Sequence, residues 1–338
     1  MNAAYQQKDA VQSGPEAAAR ILPRMPLVIL FLLALQLAAL PARGAQTVIY
    51  STGFELADGF DTQFVLVGQG GWTNFGSGGN GILTNAFAGL GQQAYIGFAP
   101  PVGMSNLLNV WRPLNTGAAP ATQSVVRFSV SMAVFSSSNG RHDDFRWSVY
   151  NTNGNRLFTL DFDAESLLIS YSLDDGLGFR STGFQFARDT LYDLLVTMNL
   201  GQNAWTATMG GVPIVGSQPV TTVGASRTIA EVDAIWAVRT GGSPGNNYLV
   251  FDNYSIIAEE PTVTTPTLNL LSFSTASNIS FRLQGQQAVR YAIESSTNLA
   301  NPTWFGIATN SSENGALDFN DPAPASMPLR FYRARQVP

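Results

Sequence analysis

The chain has 338 residues, with 18 Lys and Arg against 23 Asp and Glu, a single lysine (Lys8) and no cysteine. A net charge of −5 argues against nucleic-acid binding, which needs a basic face to neutralise phosphates, and the lack of cysteine excludes disulfides, thiol nucleophiles and Cys-type zinc sites. With 32 glycines, 45% hydrophobic and 11% aromatic residues, the composition suits an all-β protein rich in turns and is too apolar for a disordered chain.

The first element is an address. Met25–Leu40 is an apolar run broken only by Gln36, with Arg20 and Arg24 before it and Ala42-Arg43-Gly44-Ala45 after it. A charged n-region, a short apolar core and a small-residue cleavage site describe a secretory signal peptide, and the run is short of the ~20 residues a spanning helix needs. The expectation is a signal peptide over residues 1–45, cleaved near Gly44 or Ala45. It leaves a secreted or cell-surface protein, extracellular or periplasmic, with no membrane span.

From Gln46 to about Ala258 the pattern is strand after strand. Thr47-Val48-Ile49-Tyr50 opens it, a glycine-rich region covers residues 68–97, and Val125–Phe135 places Val126, Phe128, Val130 and Met132 on one face. The densest alternation runs over Phe145–Met209. There Phe145, Trp147 and Val149, then Phe158, Leu160 and Phe162, then Leu167, Ile169, Tyr171 and Leu173 alternate with polar residues between Asn/Asp/Gly turns. Tyr192–Leu200, Trp205–Met209, Ile229–Val238 and Tyr248–Ile257 follow. Period-two alternation without an amphipathic helix predicts roughly a dozen antiparallel strands in two packed sheets with a Greek-key or jelly-roll path.

Glu259–Pro266 is a polar, proline-bounded linker. Leu268–Phe273, Ile279–Leu283, Val289–Ser295, Thr303–Ala308 and Leu329–Ala334 then predict a small immunoglobulin-like β-sandwich over 267–338. The run Tyr291–Leu299, with Trp304, Asp321-Pro322 and Phe331-Tyr332-Arg333-Ala334, resembles a C-terminal domain recurrent in exported bacterial proteins, which implies display or spacing rather than chemistry.

Over residues 46–258 four short motifs stand out: Phe54-Glu55, Gly71-Trp72, Asn203-Ala204-Trp205-Thr206-Ala207-Thr208 and Phe251-Asp252-Asn253-Tyr254-Ser255-Ile256. Together they resemble the concanavalin A-like/laminin-G-like jelly rolls of secreted bacterial proteins and, at the two ends, jelly-roll carbohydrate-binding modules. The resemblance implies that the first and last strands lie side by side, with Glu55 and Asp252 holding a structural calcium; calcium prefers several hard oxygens. Trp72, Tyr95 and Trp111 are the aromatic candidates for stacking on a polysaccharide or surface glycan.

Catalytic patterns are present only in part. Glu231-Val232-Asp233-Ala234-Ile235-Trp236 is similar to the paired-glutamate strand of concanavalin A-like glycoside hydrolases, but an apolar residue stands where the second glutamate belongs. The simpler reading is a half-buried strand with Val232, Ala234 and Trp236 inward. Gly241-Gly242-Ser243-Pro244-Gly245 spells a serine-hydrolase elbow without the strand-to-helix context, and Gly76–Gly81 spells a dinucleotide fingerprint without its crossover. His142, the sole histidine, sits in a polar loop beside Asp143 and Asp144. Three functions fit: a non-catalytic glycan-binding protein, which the incomplete catalytic set favours; a glycoside hydrolase or lyase; and a structural or adhesive surface component without a small ligand.

Overall fold

The structure, a computed structural model, describes residues 45–103, 106–115, 117, 119–261, 266–273, 279–285, 290–311, 315–321 and 330–337. The signal-peptide expectation, Ala45 excepted, and residues 262–265 of the expected linker lie outside the described residues. Among the described residues the regular structure is almost entirely strand, with a 3₁₀ turn at Leu56–Asp58. No helix among the described residues is long and apolar enough to cross a membrane.

The strands up to residue 259 are β1 (Gln46–Thr52), β2 (Thr73–Gly76), β3 (Asn80–Thr84), β4 (Gln92–Gly97), β5 (Leu107–Trp111), β6 (Val125–Phe135), β7 (Asp144–Asn151) and β8 (Arg156–Asp163). They continue with β9 (Leu168–Leu173), β10 (Arg180–Gln185), β11 (Tyr192–Asn199), β12 (Ala204–Met209), β13 (Val212–Gln218), β14 (Ile229–Ala237) and β15 (Tyr248–Glu259). One sheet has the order β13-β12-β11-β6-β15-β4-β3, with β1 also paired to β15; the other has the order β10-β9-β8-β7-β14-β5-β2. Every pairing is antiparallel, and strands adjacent in space are often far apart in sequence, as a jelly-roll path requires.

Alternation explains the core. Val126, Phe128, Val130 and Met132 of β6 face Phe145, Trp147 and Val149 of β7, Phe158, Leu160 and Phe162 of β8, and Val232, Ala234 and Trp236 of β14, all within one buried cluster. The polar alternates of these strands form the two outer faces. One irregularity changes the pattern. Between Asp252 and Ser255 the β15–β6 register shifts, with Asn253 in the left-handed region at φ 50°. This bulge turns both Phe251 and Tyr254 inward, although they are three residues apart.

Beyond Glu259 come β16 (Thr267–Phe273), β17 (Ile279–Gln284), β18 (Arg290–Ser296), β19 (Phe305–Ser311), β20 (Ala316–Asp321) and β21 (Phe331–Gln336). They form two three-stranded antiparallel sheets, β16-β17-β20 and β19-β18-β21, around Phe281, Leu283, Tyr291, Ile293 and Phe319.

Candidate functional site

Because Val232, Ala234 and Trp236 of β14 point into the core, Glu231, Asp233 and Ile235 share its outward face. The same rule turns Asn109 and Trp111 of β5 outward, alternating with the buried Leu108 and Val110, and Arg146, Ser148 and Tyr150 of β7. The register sets Ser148 beside Asp233, and β8 adds Thr159 opposite Ser148. These strands floor a cleft of about 310 Å³, walled by Phe75 from β2 and by Phe179 from the segment before β10.

The floor is a polar network backed by two buried acids, Asp233 and Asp161. Asn109 Nδ2 donates to Asp233 Oδ2 at 2.7 Å, and Asp233 is 1% exposed. Burial, opposed by the Asn109 bond and reinforced by Glu231, pushes the Asp233 carboxyl up to about 8. Burial also raises Glu231, and it raises the Tyr150 hydroxyl with help from Asp233 while Arg156 and Arg146 oppose it. Arg146 Nε donates to Asp161 Oδ1 at 2.6 Å, and the Arg146 guanidinium lies 5.1 Å from the centre of the Phe179 ring. Arg156 donates to Ser172 Oγ at 2.6 Å, to Thr159 Oγ1 at 3.2 Å and to the Leu173 carbonyl at 3.2 Å.

The three aromatic candidates fall in different places. Trp111 lies on the cleft face, partly exposed, two residues along β5 from Asn109. Tyr95 is on the outer face of the opposite sheet, in an edge contact with Tyr248 at 6.4 Å. Its ring lies so close to Gly81 that a Cβ there would meet it at 2.8 Å. Tyr248 stacks in turn on Phe135 at 4.8 Å and meets the exposed Phe98 at 5.9 Å. Trp72 is not a platform. It is 2% exposed and packed among Phe54, Phe251 and Tyr254, with its Nε1 donating to the Tyr50 hydroxyl at 3.3 Å. Both faces of its ring are occupied by the core, so it has no surface to offer a sugar.

β1 does pair with β15, and Glu55 and Asp252 both approach Gly53, joined by Asp58. Burial, with Glu55 and Asp58 as neighbouring charges, pushes the Asp252 carboxyl up to about 6. Each carboxylate already has backbone work: Glu55 accepts from Gln92 N, Asp58 from Gly53 N and Asp252 from Asn253 N. Among the described residues no group of three or more His, Asp or Glu is arranged to hold a metal.

His142 sits in a loop, its Nδ1 3.1 Å from Glu165 Oε2. Its neighbour Asp143 is a structural knot, 2% exposed, and accepts from Trp236 Nε1 at 3.1 Å, Arg239 N at 3.0 Å and Gly245 N at 2.8 Å. A larger cavity of about 490 Å³ opens near Gln123 and Arg227, lined mostly by small and aliphatic groups. The smaller cleft is the better candidate, because two arginines, an amide and hydroxyls line it between two exposed phenylalanine rings. Sequence reasoning reached Glu231, Asp233 and Trp111 but missed Phe75, Asn109, Arg146, Tyr150, Arg156 and Phe179.

No family model matches the chain, and no curated protein matches it. Among solved structures it is similar to a sialidase at 9% identity and TM-score 0.41; the match covers 55% of this chain but only 17% of the sialidase. It is similar to basic winged bean lectin, whose structure was determined with Tn-antigen, at 10% identity and TM-score 0.42, covering 64% of this chain and 100% of the lectin. A third likeness is to the catalytic domain of a glycoside hydrolase family 131 protein from Coprinopsis cinerea, at 13% identity and TM-score 0.42, covering 64% and 96%. At such values the side chains of the cleft, rather than the likeness, decide what this face can hold.

Proposed function

We propose that this is an exported, non-catalytic protein that binds glycan chains in the cleft on the outer face of β5, β14, β7 and β8. The observation that carries this reading is the pairing of walls and floor. Phe75 is 69% and Phe179 46% exposed, and between them lie amide, hydroxyl and guanidinium groups. Sugar rings present apolar C–H faces and hydroxyl edges together, and a site with aromatic walls and fixed hydrogen-bonding groups matches both. Export rests on the leader over residues 1–45, and protein sequencing of the secreted form would find its first residue near Ala45.

Hydrolysis is the second reading, and Ile235 speaks against it. Paired-carboxylate hydrolysis needs two acids about 5 Å or 6.5–9.5 Å apart, one of them ionised. Ile235 occupies the next outward position after Glu231 and Asp233, and Asp233 is buried against Asn109. Affinity electrophoresis against a panel of soluble polysaccharides tests the binding reading. Retardation by at least one polymer is expected, weakened tenfold or more, about 1.4 kcal/mol, by Phe75→Ala and Phe179→Ala. Silence across the panel would overturn it in favour of a structural role.

A further inference from the structure

We infer that the glycan held in this cleft is anionic, carrying a carboxylate or sulfate that the Arg146 and Arg156 guanidinium groups receive. The inference rests on the glycan-binding reading and adds the substrate class. The chain as a whole is acidic, with a net charge of −5, yet the cleft lining contains two arginines and no ionisable carboxylate.

Glu231, on the outward face of β14 beside Asp233, lies outside the cleft lining and opposes an anion; the other acids around the cleft are engaged. Asp161 neutralises one guanidinium through the Arg146 Nε bond, leaving the Arg146 Nη atoms without a protein partner among the described residues. Arg146 is held by its Asp161 bond, with its side chain 30% exposed and its guanidinium carbon over the Phe179 ring, and it lines the cleft. Arg156 makes no ion pair among the described residues; its bonds go to two hydroxyls and a carbonyl. A guanidinium held by neutral groups keeps its full charge for a ligand. Asp233 is tied to Asn109, and burial favours its neutral form, so it does not repel an incoming anion. Asp144 and Asp163 are both bridged by Arg239. The Tyr150 hydroxyl, without a protein partner among the described residues, adds a neutral donor beside the two cations.

Arg–oxyanion contacts are charge-assisted, and on a ring they select an acidic sugar over its neutral counterpart. A uronate and a sulfate ester share this chemistry. Isothermal titration of the full secreted chain with dextran, polygalacturonate and dextran sulfate separates the sources. The expected result is binding of at least one anionic polymer ten times or more tighter than dextran, weakening as salt rises. Polygalacturonate alone would point to a carboxylate, and dextran sulfate alone to a sulfate. Arg146→Gln is expected to abolish the preference, and Arg146→Gln/Asp161→Asn, which leaves no unpaired acid, to do the same with the fold intact. Arg146→Lys should restore part of it. Dextran binding as tight as the anionic polymers, or a preference unchanged in both Arg146→Gln forms, would overturn the inference while leaving glycan binding standing. Binding of none of the three polymers would overturn the inference as well, whereas the glycan-binding reading fails only on silence across the wider polysaccharide panel.

Discussion

Asn109 Nδ2 donates to Asp233 Oδ2 at 2.7 Å, while the other side-chain oxygens of the same two residues, Asn109 Oδ1 and Asp233 Oδ1, are both buried without a partner. Two orphaned acceptors on one pair are satisfied together if Asp233 carries a proton, since a carboxylic acid and an amide can each donate to the other. Burial favours the same form and places the loss of that proton at about 8, against 3.8 for an ordinary aspartate. A proton kept in the folded chain and lost early in the unfolded one gives stability that is complete below about pH 4. It is then lost at up to about 1.4 kcal/mol per pH unit as pH rises towards 8. Asp233→Asn keeps a donor at this position and cannot ionise, so its melting temperature between pH 4 and 8 is expected to fall less steeply than that of the wild type. Parallel curves would mean that Asp233 is ionised in the fold.

The buried indoles offer a second test. Trp205 stacks on Phe158 with ring centres 4.0 Å apart, but its Nε1 is buried with no partner. Trp236 Nε1, by contrast, donates to the buried Asp143. Trp205→Phe keeps a ring on Phe158 and removes an unpaired donor, whereas Trp236→Phe takes a partner from a buried carboxylate. Urea unfolding is therefore expected to show Trp236→Phe costing more than Trp205→Phe by about 1–3 kcal/mol. Equal costs would show that Trp205 Nε1 finds a partner in solution.

The three acids around Gly53 make a pH prediction of their own. Asp252 is raised to about 6 by burial and by Glu55 and Asp58, so its contribution to stability is complete below about pH 4 and is lost as pH rises through 6. Asp252→Asn removes the like-charge repulsion and is expected to raise the melting temperature at pH 7 and to flatten the profile between pH 4 and 6. A calcium-dependent rise in the wild type, absent in Asp252→Asn, is the result that would show these carboxylates closing on a cation.

What the sequence discloses here is periodicity. Val232, Ala234 and Trp236 alternate on the page and point together in the fold, and the same holds for Phe145, Trp147 and Val149. The bulge at Asn253 is invisible to that rule, because one residue in the left-handed region is enough to turn both Phe251 and Tyr254 inward. The cleft is harder still to read. Phe75, Asn109, Arg146, Arg156 and Asp233 come from five strands spread over more than half the body, and only the order β8-β7-β14-β5-β2 makes them neighbours. No local pattern marks Asn109 as the partner of a residue 124 positions away. A tool for finding it existed in principle: a buried-strand acid such as Asp233 demands a hydrogen-bonding partner.

Trp72 and Phe75 show how far aromatic content alone misleads, and they give the last prediction. They are three residues apart, yet Trp72 is 2% and Phe75 69% exposed. Trp72 sits in an aromatic cluster with ring centres 5.7 Å from Phe54, 6.0 Å from Phe251 and 5.2 Å from Tyr254, while Phe75 stands at the edge of its sheet on β2. Trp72→Ala removes a buried ring and leaves a cavity, at an expected cost of about 3–5 kcal/mol in urea unfolding. Any loss of glycan affinity in this variant should follow its unfolded fraction. Phe75→Ala removes a ring that packs little, so its stability should stay within about 0.5 kcal/mol of the wild type while its affinity falls. If Phe75→Ala instead unfolds early and binds normally, the wall of the cleft is a packing element and the glycan lies elsewhere, with the Tyr95–Tyr248–Phe135 ladder on the opposite sheet the next place to mutate.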